Sequence, residues 1–223
     1  MKKRLFTGLS VGMLLLVPVV AQATLTTYND RSAFDAAVGS TPIINFEAQQ
    51  KNEWIGGTDY GANLTVGDVS FTQLNGQLEV ISPAWSPQNS NFLYNPYNPN
   101  VPQTFVINFA SKVSSVGMDL AWAWGYWGTG GMMDIALNNG ESFTKYNVSG
   151  PLYYSGLPLG FVGFSSDNPF SSITIIDPSH STSIDNFAYK TSPNPEPATM
   201  LLLGTGLAAL AGARKLKKQQ LPA

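Results

Sequence analysis

Cysteine is absent from all 223 residues. No disulfide, thiolate metal site or cysteine nucleophile is available, so the fold must rest on its hydrophobic core. Histidine is nearly absent as well. The single His180 lies in Pro178-Ser179-His180-Ser181, a turn with no evident acid and nucleophile partners, which leaves a His-centred triad or a His-rich metal site without its parts. Charge is sparse, at 12% of residues, and unevenly placed. Residues 24–194 hold 13 acids but only five bases, Arg31, Lys51, Lys112, Lys145 and Lys190, a net of −8 that the whole-chain value of −2 conceals. A domain that acidic repels phosphate backbones, so nucleic acid is not an expected partner. A glycine-rich phosphate loop leading into a helix is also missing.

What is present is concentrated at the two ends. Met1-Lys2-Lys3-Arg4 is a positive opening, residues 5–20 are largely apolar, and Ala21-Gln22-Ala23 fits the small-x-small cleavage rule. Residues 1–23 therefore read as a secretory signal peptide cut after Ala23, with the secretion translocon and signal peptidase as partners. At the other end, Pro193-Asn194-Pro195-Glu196-Pro197 closes a linker over 192–197. An apolar run over 198–213 and a basic cap over 214–223, with Arg214, Lys215, Lys217 and Lys218, follow it. Sixteen helical residues span roughly 24 Å, short of a hydrocarbon core of about 30 Å, and the stems of Arg214 and Lys215 can close the gap. The basic residues at both ends stay cytoplasmic and leave the middle outside. Pro193, Pro195 and Pro197 are expected to keep 190–197 out of helix.

The Pro195-Glu196-Pro197 triplet, the glycine-bearing apolar span and the Arg/Lys cluster resemble the PEP-CTERM sorting signal of exported proteins in exopolysaccharide-making Gram-negative bacteria. The resemblance covers about residues 193–218. The trailing Gln219-Gln220-Leu221-Pro222-Ala223 is slightly longer than the usual basic end. It implies recognition by an exosortase, a membrane-embedded peptidase, and a protein only transiently anchored in the inner membrane before it reaches the cell surface or the medium. The other reading of the tail is an ordinary C-terminal membrane anchor.

Between the signals, residues 24–191 read as one domain. Asn29 or Asp30 can cap a short helix in which Ala33, Phe34, Ala37 and Val38 recur at helical spacing and which Gly39 stops; it is expected to cover an end of a sheet. The rest is short β-type runs set off by Gly, Pro, Asn, Asp and Ser: 43–47, 64–66, 69–74, 77–82, 104–109, 113–122, 132–137, 142–148, 160–165, 172–177 and 183–189. Gly67-Asp68, Asn75-Gly76 and Asn138-Asn139-Gly140 are hairpin cues. Eleven short strands and one helix make an all-β protein, an antiparallel β-sandwich of jelly-roll type, with closed barrels and other sandwich topologies open. Asn45-Phe46-Glu47, the run 109–117, Phe161-Val162-Gly163-Phe164 and Ile184-Asp185-Asn186-Phe187 are similar to jelly-roll domains of the lectin and carbohydrate-binding-module type.

Two candidate sites follow. Glu47 and Asp185 each interrupt an apolar strand, and first and last strands of a jelly roll are commonly neighbours. Oxygen ligands gathered there would suit Ca²⁺, and the resemblance implies a structural calcium at such a place. The alternative is two carboxylates facing solvent or paired through Asn186 and backbone amides. The second site is aromatic. Met118, Leu120 and Trp122 read as core, whereas Trp124, Tyr126 and Trp127 enter the glycine-rich loop Gly128-Thr129-Gly130-Gly131. A second loop, 82–102, carries Trp85, Tyr94 and Tyr97 among Pro, Asn and Ser. Trp85, Tyr97, Trp124, Tyr126 and Trp127 are the candidate carbohydrate contacts, against the alternative of local packing. A paired-carboxylate glycosidase needs only two acids, and Glu47, Glu53, Asp59, Glu79, Asp119 and Asp134 supply many, but no pair stands out. The sequence thus points to a non-catalytic exported surface or matrix protein, associated with exopolysaccharide, with a lectin-like sugar-binding module and a glycoside hydrolase as alternatives.

Overall fold

The computed structural model describes residues 24–49, 58–81, 90–96, 102–122, 131–148, 160–178 and 182–192, together with Thr205. Its strands are β1 (Leu25–Tyr28), β2 (Ile43–Ile44), β3 (Thr58–Asp59), β4 (Asn63–Val66), β5 (Val69–Gln73), β6 (Glu79–Ile81), β7 (Phe92–Tyr94), β8 (Gln103–Trp122), β9 (Gly131–Leu137), β10 (Ser142–Val148), β11 (Gly160–Asp177) and β12 (Thr182–Thr191). One helix, α1 (Arg31–Val38), lies between β1 and β2. Every strand pairing is antiparallel.

Two long strands make the architecture. β8 and β11 run beside each other from end to end, and their register shifts twice, between Ser165 and Phe170 and between Phe170 and Ser172. Such shifts bend a strand and let it pass from one layer to another. On one side of the bend the order is β10, β9, β11, β8, β5, β4. On the other it is β1, β11, β8, β12, with β2 and β7 sharing the far side of β12 and β6 and β3 beyond β7. The two halves face each other across one core. Phe105 and Ile107 from the first half of β8 are buried in the same cluster as Val116, Met118 and Leu120 from its second half. Phe71 of β5 meets Phe187 of β12 edge-on across the layers, ring centroids 5.4 Å apart. The protein is an all-β antiparallel sandwich, with α1 as the one helix among the described residues within 24–192.

The helix begins where Asp30 Oδ1 accepts a hydrogen bond from the Ala33 amide at 2.9 Å, and it ends at Gly39 with φ of 83°. It does not cover an end of the sheet. It lies on the outer face, because Gly117 of β8 and Gly163 of β11 sit opposite each other in the ladder and leave a hollow for Phe34. A Cβ on Gly163 would stand 2.7 Å from Phe34 Cδ2, and one on Gly117 2.8 Å from Phe34 Cε1. Tyr28 and Phe161 flank the same ring at 5.6 and 5.7 Å.

The segments 104–109 and 113–122 form one strand, as do 160–165 and 172–177. β1, β3 and β7 are strands that the pattern did not announce. The Gly67-Asp68 and Asn138-Asn139-Gly140 turns join paired strands, β4 to β5 and β9 to β10. Asn75-Gly76 instead links β5 to β6, which do not pair, because β5 takes β8 as its second partner.

Candidate functional site

β2 pairs with β12 through Ile44 and Phe187, which brings the chain after β2 alongside the middle of β12. β7 takes the neighbouring stretch of β12 through Leu93 and Tyr94. Between these two partners β12 has a register shift, from Asp185 to Ala188. The site lies at that gap. Glu47 Oε1 accepts a hydrogen bond from the Asn91 amide at 2.7 Å, and Phe46 O accepts one from Asn91 Nδ2 at 3.3 Å. Asp185 Oδ2 accepts from the Ser90 hydroxyl, and its Oδ1 from the Asn186 amide at 2.7 Å. Glu47 and Asp185, 138 positions apart in sequence, are thus joined through the adjacent residues Ser90 and Asn91.

The electrostatics are uneven. Asp185 is fully buried, Glu47 is exposed. Burial pushes the Asp185 carboxyl up to about 6, with the Asp119 and Glu47 charges adding to the rise and the Ser90 and Asn186 hydrogen bonds opposing it. Among the described residues two non-glycine residues adopt positive φ, Phe46 at 57° and Asn186 at 46°, and each adjoins one of the two carboxylates. For a bulky residue such as Phe46 that conformation is strained, and strain of this kind gathers at functional sites. Asn91 Oδ1 is buried with no hydrogen-bond partner. Glu47 and Asp185 bring carboxylate oxygens to this gap, and oxygen ligands are what hard cations take. Among the described residues no three of the His, Cys, Asp and Glu side chains gather closely enough to hold a metal by themselves.

A second polar knot borders the first. Arg31, at the start of α1, reaches Asp119 Oδ1 at 3.3 Å and donates to Asn186 O at 2.7 Å, with its guanidinium carbon 4.8 Å from the centre of the Phe161 ring. Asn186 Nδ2 donates to Asp119 Oδ2 at 2.8 Å. Arg31 thereby ties the helix to the strand bend that carries Asp185. Sequence reasoning missed Ser90, Asn91, Arg31 and Asp119 as members of this site. All four are ordinary surface types in the sequence, and only the pairing of distant strands brings them together.

Of the sugar-contact candidates, Trp85, Tyr97, Trp124, Tyr126 and Trp127 lie outside the described residues. Their loops' points of departure are described. Tyr94 and Trp122 pair with the neighbouring residues Ser183 and Thr182 at the top of β12. Gln103 and Asp177, at the same end of the other layer, pair with each other, and Thr182 Oγ1 donates to Asp177 Oδ2 at 2.8 Å. The loops carrying Tyr97 and Trp124 therefore spring from one end of the sandwich. The loop carrying Trp85 leaves from the opposite ends of β6 and β7, next to Ser90 and the acidic site. Tyr94, placed with the loop aromatics from sequence, belongs to β7 and is buried, so its ring is not free to stack on a ligand. Met118 and Leu120 are core, as their alternation implies.

The two end signals, with Ala21, Ala23, Pro195, Glu196, Pro197 and Arg214 to Lys218, also lie outside the described residues. Within the apolar run only Thr205 is described, helical and exposed. Among the described residues no helix is long and apolar enough to cross a membrane. Residues 190 and 191 continue β12, and Ser192 N donates to Lys112 O at 2.9 Å, so the chain leaves the sandwich extended.

Comparison with known proteins identifies the tail. Residues 195–215 match the PEP-CTERM protein-sorting motif. Among curated proteins no relative matches the sequence. Solved structures with a partial likeness include a family 6 carbohydrate-binding module dissected by crystallography and calorimetry, at 16% identity over 68% of this chain and 94% of that one, with a TM-score of 0.36. A Clostridium stercorarium module of the same family, solved with cellobiose, gives 17% identity over 62% and 100%, TM-score 0.34. The family 32 module of C. perfringens NanJ, solved with galactose, gives 17% over 55% and 93%, TM-score 0.32. Likeness this loose carries no argument about a ligand. The sorting motif stands independently of it: the chain carries the mark of an exported, exosortase-sorted protein with transient membrane anchoring.

Proposed function

We propose that the mature domain is a non-catalytic surface or matrix protein that associates with exopolysaccharide after exosortase releases it from its anchor. The observation that carries the reading is the sorting motif at 195–215, placed behind a β-sandwich whose Tyr97 and Trp124 loops spring from one end. Exposed rings on such loops would stack on the apolar faces of sugars, and prolines in the 82–102 loop would lower the entropy lost on binding. A glycan array probed with the purified protein tests this: binding that Trp124→Ala or Trp127→Ala abolishes supports a sugar site, and no binding to any glycan removes it. A lectin-like module whose sugar site is its whole purpose is the second reading, favoured if one defined oligosaccharide outcompetes the host polymer.

A structural calcium ion at Glu47 and Asp185 belongs to the same proposal. The buried, unpartnered Oδ1 of Asn91, whose amide Glu47 binds, supports it as a further oxygen donor. When bound, calcium would offset the mutual repulsion of the carboxylates and fix the strained Phe46 turn. A thermal midpoint unmoved by chelator would remove the ion from the proposal.

A further inference from the structure

β10 and β1 are the edge strands of the two layers on the same side of the sandwich, and a cavity of about 430 Å³ opens between them. Phe143 and Val162 line it with apolar surface and Thr27 and Asn29 with polar groups, and Tyr28 and Thr144 border it. Lys145 completes the lining. It lies two residues after Phe143, which packs on Phe164 of the core with ring centroids 5.3 Å apart, so Lys145 shares the inward face of β10. Its ammonium donates to Asn29 Oδ1 at 2.6 Å. The β9–β10 register shifts immediately after it.

Lys145 is in no ion pair among the described residues. The carboxylate nearest along the ladder, Asp134, is engaged by the Thr144 hydroxyl at 2.7 Å on the opposite face of the strand. The cation is thus partly removed from water, held by one neutral acceptor and offered no counter-charge. Burial alone lowers its pKa. An anion joining it there would add a charge-assisted hydrogen bond.

We propose that this cleft is a binding subsite for a carboxylate-bearing sugar of the uronic acid class, with Lys145 as the anion anchor. One cation matches one carboxylate. Thr27 and Asn29 suit ring hydroxyls, and Phe143 gives an apolar wall for a pyranose face. The volume falls within the range of small-ligand pockets, roughly 300–1,000 Å³. This deepens the exopolysaccharide reading and rests on it for the source of the sugar, yet the cleft lies apart from the aromatic loops. The competing role for Lys145 is to point a charge inward at a sheet edge and so block edge-to-edge pairing.

The test is ligand-observed NMR titration of the full-length protein in detergent micelles with D-glucuronate, D-glucose and acetate. Glucuronate is expected to bind at least about ten-fold more tightly than either of the others, from the charge-assisted hydrogen bond added to the hydroxyl contacts. Lys145→Arg should retain it. Lys145→Met, and Asn29→Asp, which gives the lysine an internal carboxylate without changing shape, should each weaken it about ten-fold or more. Equal binding of glucuronate and glucose, or glucuronate affinity unchanged in Asn29→Asp, overturns the subsite. Aggregation of Lys145→Met with glucuronate affinity intact in Asn29→Asp assigns Lys145 to edge protection instead. Trp127→Ala separates the two readings: loss of neutral-glycan binding with glucuronate retained leaves the cleft standing alone. Neutral-glycan binding in the parent protein without any response to glucuronate removes the cleft and spares the loops.

Discussion

At the scale of single residues, Asp185 concentrates the consequences. Its folded pKa of about 6 lies above the ordinary carboxylate value of 3.8. The folded state therefore holds a proton that the unfolded state has lost across that window, and stability falls as pH rises from about 4 through 6. In metal-free protein the thermal midpoint should rise on going from pH 7.5 to 5.5. The whole loss from acid to neutral pH is about 3 kcal/mol, of which about 1 kcal/mol falls between pH 5.5 and 7.5, and it should vanish in Asp185→Asn. Calcium would favour the ionised form and flatten or invert that slope, so the same melting series with and without the ion reads both effects. A second residue-scale test concerns Gly117. Alanine there forces the Phe34 ring out of its hollow, and a loss of about 1–3 kcal/mol in denaturant titration is expected. Glu47 and Asp185 stand out in the sequence because each breaks an apolar run. Ser90 and Asn91 do not, since an Asn and a Ser in a polar stretch look the same whether they face water or a carboxylate 44 or 95 residues away.

Elements were legible where one face is wet. β5, β9 and the first half of β8 alternate buried and outward residues, which is the signature of a sheet covered on one side. β7 is buried at all three positions between polar neighbours, so it carries no alternation and reads as loop. β8 and β11 read as two strands each because Ala110-Ser111-Lys112 and Asp167-Asn168, at their bends, have the composition of turns. The helix was legible from its cap and spacing, but its berth was not. That berth depends on Gly117 and Gly163 lying opposite each other, a coincidence of register invisible until β8 and β11 pair. Phe34→Ala should cost about 3–5 kcal/mol, as for other buried aromatics, and lower the thermal midpoint by about 2–4 °C per kcal/mol. Because Arg31 starts the same helix and holds Asn186, that variant should also raise hydrogen exchange at the Asp185 bend, with less effect at β4 and β5 in the other layer.

For the whole molecule, the sorting motif at 195–215 marks an exported protein, and the leader expected over residues 1–23 and the acid-rich, cysteine-free middle fit that. Intact mass of the protein from the extracellular fraction of its host should correspond to a chain that begins at Thr24 and has lost the apolar tail. A mass that retains residues 198–213 would contradict exosortase processing. Strand order was the part no periodicity carries, and its detail has a consequence for the order of events in export. β12, the last strand of the sandwich, is paired on both sides, to β8 on one and to β2 and β7 on the other, and it supplies Ile184 and Phe187 to the core. It ends at Thr191, only a few residues before the sorting motif. Until that strand is available, the second half of β8 has only β11 as a partner and the edge that receives β2 and β7 does not exist. Long-range pairing of this kind is slow to form and leaves strand edges open meanwhile. A tail that tethers the chain to the bilayer would hold each unfinished copy apart from its neighbours during that interval, so the anchor would serve as a folding chamber of one before it serves as an address.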